Sequence, residues 1–373
     1  MTFFSVNRVH ADMELDGKRK TALLKEGITY LLSQAGKDVH VQFDHDKIAS
    51  VLDFVTSEKE RPSSFDLDER DGATAAYYEI DIGSNLERIL NYAYNPDIPP
   101  QTFSPSSLRI AYTLPGERRT LPLQWSFQES HERPQIFKIV EHEEITPDLF
   151  TGAYYSYEVD RTLMLLRHNA SNVFISIARQ RDVSEVGKKG AVLGESEAWD
   201  YLYSGQKGLT KRGLGWVDSF MYKSFSITVF CQTDTEEPRV RCGIFKWLSA
   251  GWAGLNMVKE KHIQKGLDRY GGDFKKIIEF SGLPEPEEMA SEYFAMKQLP
   301  MQELKKRIGG YLVSLEKKYA GNRILSRKLF SDFLDAGNSL VHLSREQMQA
   351  VLMLEYLKSV LGKSSHGLYS GIQ

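Results

Sequence analysis

The chain of 373 residues has only two cysteines, Cys231 and Cys242. They are not spaced as CxxC, and no histidine or third cysteine lies near them, which excludes a cysteine-based zinc site and a CxxC redox motif. Long apolar runs are also missing. None approaches the ~20 residues that a membrane-spanning helix needs, so no transmembrane segment is expected. Neither sign of charge is in excess: 47 Lys and Arg stand against 50 Asp and Glu, a formal net charge of -3. That balance gives no reason to expect nucleic acid or an anionic membrane surface as the main partner. Motifs of familiar chemistry are absent as well. No GxxxxGK[ST] loop, no GxGxxG opening a helix after a strand and no GxSxG elbow can be written anywhere. The stretch Asp335–Glu346 has the length of an EF-hand loop, but Leu340 stands where the turn glycine must be. The reading therefore leans away from an enzyme, with no cofactor and no metal.

What remains is ordinary globular material. Hydrophobic residues make up 41% and charged residues 26%, enough for a large core. The length suggests two or three domains. Three stretches differ in pattern: 1–72, 73–250 and 251–373. In the first, Leu23, Leu24, Ile28, Leu31, Leu32 and Ala35 recur at helical spacing and Gly36 stands as a stop. "VHVQFD" reads as a short strand. A second helix follows, with Ile48, Leu52 and Val55 on one face. The stretch 73–250 holds many short β-branched and aromatic runs separated by turn signals, including "LRIAYTL", "LPLQWSF", "QIFKIVE", "TLMLLRH" and "NVFISIARQ". Such runs predict an antiparallel sheet, either a sandwich or a curved sheet. The last stretch is helical. Leu304, Ile308, Tyr311, Leu312 and Leu315 form one stripe, and Ser344 with Gln347 writes a capping box. The expected class is α+β: an antiparallel β-rich body with a short helical N-terminal region and an all-helical C-terminal region.

The two cysteines fall in "SFSITVFCQTDTEEPRVRC". Phe225, Ile227, Val229 and Cys231 share one face of their strand, and Val240, Cys242 and Ile244 share a face of the return strand. A hairpin turning at Glu236 and Glu237 places Val229 opposite Ile244 and Cys231 opposite Cys242. A disulfide across that pair is the expectation, with two inert buried thiols as the alternative. A bridge would point to an oxidising compartment. The triplet "VHA" before Asp12 resembles the end of a signal peptide whose apolar part is missing, and points the same way. Export to a cell envelope or periplasm is the expected location, with the cytoplasm as the alternative.

The most unusual composition lies in 186–222, where glycines alternate with basic and aromatic residues. Glycines let backbone N–H groups approach an anion, and lysines neutralise it. Lys188, Lys189, Trp199, Tyr201, Tyr203, Lys207, Lys211, Arg212 and Trp216 are the candidate ligand-binding residues. The competing reading is a set of glycine-rich turns with exposed lysines. "HVQFDHDK" offers His40, Asp44, His45 and Asp46 to a metal, but Asp44 or Asp46 is more simply a helix cap. "EHEEI", Glu141 to Ile145, reads as a solvated charged edge. The function expected is non-catalytic binding of a lipid, a glycan or another anionic molecule, or of an envelope protein. One alternative is a hydrolase whose site joins Asp218, His142 or Glu144 to the glycine–lysine loops. Another is an assembly protein that docks through its C-terminal helices.

Overall fold

The β-branched and aromatic runs of the middle stretch do form strands. The computed structural model describes residues 3–36, 43–57, 67–114, 116, 121–127, 133–211, 215–234, 237–322 and 343–366. The long strands are β1 (Thr74–Ile82), β2 (Leu108–Thr113), β3 (Gln135–Ile145), β5 (Ser156–His168), β6 (Ser171–Gln180), β11 (Ser219–Asp234) and β12 (Arg239–Trp252). They build one antiparallel sheet in the order β1-β12-β11-β6-β5-β3-β2, and short β13 (Leu255–Asn256) also pairs with β12. A three-stranded sheet holds β4 (Ala153–Tyr154), β7 (Lys188–Leu193) and β8 (Asp200–Lys207). A two-stranded ribbon joins β9 (Leu209–Lys211) and β10 (Gly215–Val217). The architecture is α+β, as the pattern of runs predicts.

Helices cover both faces of the main sheet. On one face lie α1 (Phe3–Ser33) and α2 (Ala49–Thr56). Their Leu24, Ile28, Leu31, Leu52 and Val55 meet Val173, Ile175, Ile227, Val229 and Phe245 in one core. On the other face, Phe174, Phe230 and Ile244 share a core with α3 (Leu86–Ala93), α4 (Glu260–Ile278), α5 (Pro286–Gln298), α6 (Met301–Lys318) and α7 (Arg345–Val360). Two glycines let helices close onto strands. A Cβ at Gly243 would meet Val55 of α2 at 2.7 Å, and one at Gly271 of α4 would meet the Tyr78 ring at 2.5 Å. Arg88 of α3 donates through Nε to the Ile278 carbonyl at 3.0 Å, satisfying one of the last carbonyls of α4.

Local signals set several element ends. Gly36 has φ 119° just past α1, and the Ser344–Gln347 capping box forms in both directions at the start of α7. The β5–β6 turn is two residues, Asn169 and Ala170, both at positive φ, which matches the right-handed twist of a tight hairpin. Asp44 Oδ1 accepts from the Asp46 N–H at 3.1 Å, so this aspartate serves the entry to the second helix. "LPLQWSF" departs from its expected strand: 121–127 is irregular. Pro122 lacks a ladder donor, and Trp125 is buried instead in the helical core, donating to the Tyr94 carbonyl at 3.2 Å. The strand expected at "VHVQFD" lies for the most part outside the described residues.

The cysteine hairpin departs by one residue. Near its tip Asp234 pairs with Arg239, the register that sequence alternation predicts. A bulge between Gln232 and Asp234 then shifts the ladder, so Cys231 pairs with Arg241 and Phe230 with Cys242. A slip of one residue sends a side chain to the other face. Cys231 therefore lies in the core under α1 and α2, and Cys242 in the core under α4. Both are free and buried, so the expected disulfide is corrected to two separate thiols. Burial pushes the Cys231 thiol up to about 12, and Cys242 is raised as well. A thiol reagent should therefore label neither cysteine in the native protein and both in denaturant, and reductant should leave the melting temperature unchanged. A bridged peptide in a non-reducing digest would contradict this register.

Candidate functional site

Between the main sheet and α4 lies a cavity of about 520 Å³. Strand alternation makes it. On β11 the apolar Phe225, Ile227 and Val229 turn toward α1 and α2, which leaves Ser224, Ser226 and Thr228 on the opposite face. On that face Ser226 is flanked by Ala178 of β6 and Lys246 of β12, and Thr228 by Ser176 of β6. Small hydroxyl side chains in the middle of a covered sheet leave space that large apolar ones would fill. Tyr94, Tyr270 and Phe274 line the opposite side.

A charged group lies in this floor. Arg161 of β5 donates through Nε to Glu141, through Nη2 to Glu143 Oε1 at 2.8 Å and through Nη1 to Ser176 Oγ at 3.0 Å. Burial raises the Glu141 carboxyl above its usual range, and Arg161 opposes that rise. The same burial would weaken the Arg161 charge, but its two carboxylates hold its pKa above the ordinary value. "EHEEI" is thus not a solvated edge. Strand β3 is an inner strand, Glu141, Glu143 and Glu144 are buried, and Glu144 pairs with Arg109 at 2.5 Å. Lys246 differs. Its Nζ donates to Ser224 Oγ at 2.8 Å, and burial pushes its ammonium down to about 8 despite the Glu143 carboxylate.

Cationic groups outnumber anionic ones in the lining. Arg161, Lys246, Lys265, Arg269 and Lys297 stand against Glu141, Glu143 and Asp148. Nε and Nη1 of Arg269 are buried without a hydrogen-bond partner. His262 also lines the cavity, with its ring 4.6 Å from that of Phe150.

None of the sequence-predicted ligand residues that are described lines this cavity. Trp199, Tyr201 and Tyr203 are core residues of β8 and its approach, at 0%, 5% and 9% exposure. Trp199 donates to Asp273 Oδ2 at 3.0 Å, and the Arg109 guanidinium lies 3.7 Å from the centre of the Tyr203 ring. Lys188 pairs with Glu185 at 3.7 Å, and Lys189 donates to the Thr151 carbonyl. Lys207 and Trp216 are exposed; the Lys211 side chain and Arg212 lie outside the described residues. Of the hydrolase candidates, Asp218 is exposed and His142 stacks on Tyr112 at 5.1 Å. The signal for the cavity was present in the sequence: charges, Arg161 and Lys246, beside apolar runs on their strands, and hydroxyl residues at every second position from Ser224 to Thr228.

A second buried cluster joins β8 to the C-terminal helices. Asp200 accepts from Lys358 Nζ, Lys318 Nζ and Tyr319 OH, each at 2.7 Å, and lies 3.2 Å from His366 Nε2. Asp200, Glu355 and His366 are close enough together to hold a metal. Lys358 Nζ already stands 2.7 Å from both carboxylates, so an ammonium takes the cation's place. Burial alone would raise the Asp200 carboxyl. His366, Lys358 and Lys318 instead hold it far below the usual carboxylate range. A lowered native pKa stabilises the fold above the unfolded value and is lost as the pH falls through it. Stability from this group should be complete above about pH 5 and decline below about pH 4. Lys358→Met leaves Asp200 and Glu355 buried without this cation and should cost about 3–5 kcal/mol in denaturant unfolding. A loss below about 1 kcal/mol would mean that solvent reaches the cluster. No family model matches the chain, and no curated protein matches it either.

Proposed function

We propose that the chain binds a small anionic organic molecule in the cavity between the main sheet and α4. The supporting observation is the lining itself: five cationic side chains against three carboxylates, set among tyrosines and phenylalanines. A space of about 520 Å³ is in the range of small-molecule sites, and convergent polar groups among apolar ones are what fix a ligand's orientation. Two of the carboxylates are already taken by Arg161, which leaves Lys246, Arg269 and the other lysines to meet a ligand's charge. A purely apolar acyl chain would desolvate these charges without compensating them, so a molecule with an acidic group is favoured over a bare lipid tail. No described helix is long and apolar enough to cross a membrane. With the sulfurs on opposite faces, the cysteines no longer argue for an oxidising compartment, and the export reading rests on the "VHA" triplet alone.

Anilinonaphthalene sulfonate, an aromatic anion, tests this reading against its uncharged counterpart, phenylnaphthylamine. The anion should bind with one-to-one stoichiometry and about tenfold more tightly, since one charge-assisted hydrogen bond contributes about 1.5–3 kcal/mol. Ser226→Phe, which fills the floor, should abolish binding while leaving the melting transition cooperative. Equal binding of the two dyes, or unchanged binding to the Phe variant, would overturn the assignment.

A further inference from the structure

Three buried cations among the described residues are paired with carboxylates. Arg109 has Glu144, Arg161 has Glu141 and Glu143, and Lys358 has Asp200 and Glu355. That pairing is expected, because an uncompensated charge inside a protein is costly. Lys246 is the exception among the cavity-floor cations. It sits on β12 between β1 and β11, and its hydrogen-bond partner is the neutral Ser224 hydroxyl. The two floor carboxylates near it are both engaged by Arg161. Its amine nevertheless borders open space, with Ser226 beside it on β11.

A lysine in that setting can relieve its burial in two ways: by meeting an anion, or by giving up its proton. A neutral amine presents a lone pair to whatever occupies the cavity, and a desolvated lysine of this kind is a nucleophile toward carbonyl carbon. We infer that Lys246 forms a reversible imine with a carbonyl-bearing ligand that also carries an acidic group, an oxo acid or an acidic aldehyde. This rests on the reading of the cavity as a site for a small organic anion. Nζ adds to the carbonyl carbon, the C=O π pair moves to oxygen, and that oxygen takes up the proton that nitrogen loses. The carbinolamine then expels its hydroxyl, which takes the second proton of nitrogen and leaves as water, while the nitrogen pair forms the C=N bond; water reverses the sequence. No oxidant or reductant is needed. The acidic group of the ligand meets the remaining cations of the lining, Arg269 among them, whose Nε and Nη1 lack partners.

The test uses para-formylbenzoate with cyanoborohydride to trap the imine on the full native chain, and peptide mass spectrometry to locate the adduct. Near pH 7.5 an amine titrating at about 8 has a share of neutral form on the order of a hundredfold greater than an ordinary lysine. Lys246 should therefore be modified at least about tenfold faster than Lys265 and Lys297, allowing for its lower intrinsic basicity. Lys246→Arg should carry no adduct at that position. Ser226→Phe, with Lys246 intact, should block trapping. Dye binding without preferential labelling of Lys246 overturns the imine and leaves the anion site standing. Absence of both dye binding and labelling overturns the two together.

Discussion

A sheet covered by helices on both faces has no solvent side on which to put a charge. Side chains in the middle of its central strands point into one interior or the other. That constraint organises the molecule. One interior, under α1 and α2, is filled mainly with aliphatic and aromatic residues. The other must accommodate Glu141, Glu143, Arg161 and Lys246, and it does so by pairing three of them and leaving a cavity over the fourth. The cavity is thus not a defect of packing. It is where polar strand residues were placed on a face that helices also cover.

The same constraint explains the charged cluster at Asp200. Strand β8 is packed beneath the C-terminal helices, and its aspartate has no exposure. Four groups from α6, α7 and the segment after α7 converge on it: Lys318, Tyr319, Lys358 and His366. Such a cluster specifies how those helices dock, because any other arrangement leaves a carboxylate or an ammonium buried without its partner. Two of its three potential metal ligands, the carboxylates, are already served by an ammonium, which gives it a structural character. The cavity under α4 is different in kind, since its lysine has a neutral partner and open space.

Much of the architecture was legible in the chain. Helical stripes, the capping box at Ser344 and the Asn169–Ala170 turn are local features, and local features survive into the fold with little change. The candidate ligand residues of 186–222 lie apart from the cavity for a physical reason. Glycine, lysine and aromatic residues between 186 and 222 look like a binding loop by composition, yet Trp199, Tyr201 and Tyr203 fill the core of a small sheet. Composition does not distinguish an aromatic that stacks on a ligand from one that stacks on its own neighbours. "EHEEI" looked like an edge because three acids in five residues are usually solvated, and the arginines that neutralise them are distant in sequence.

The sequence by itself determined the α+β class, the alternation on each strand and most element ends, because these follow from periodicity and from residues a few positions apart. Tertiary structure alone decided which face met which partner. One bulged residue at the end of β11 carried Cys231 and Cys242 to opposite cores, and long-range pairing made Arg161 the counter-ion of two glutamates while Lys246 was left beside a serine. A strand's period is written in its own residues, but its register and the charges opposite it are set by neighbours that the chain brings from far away.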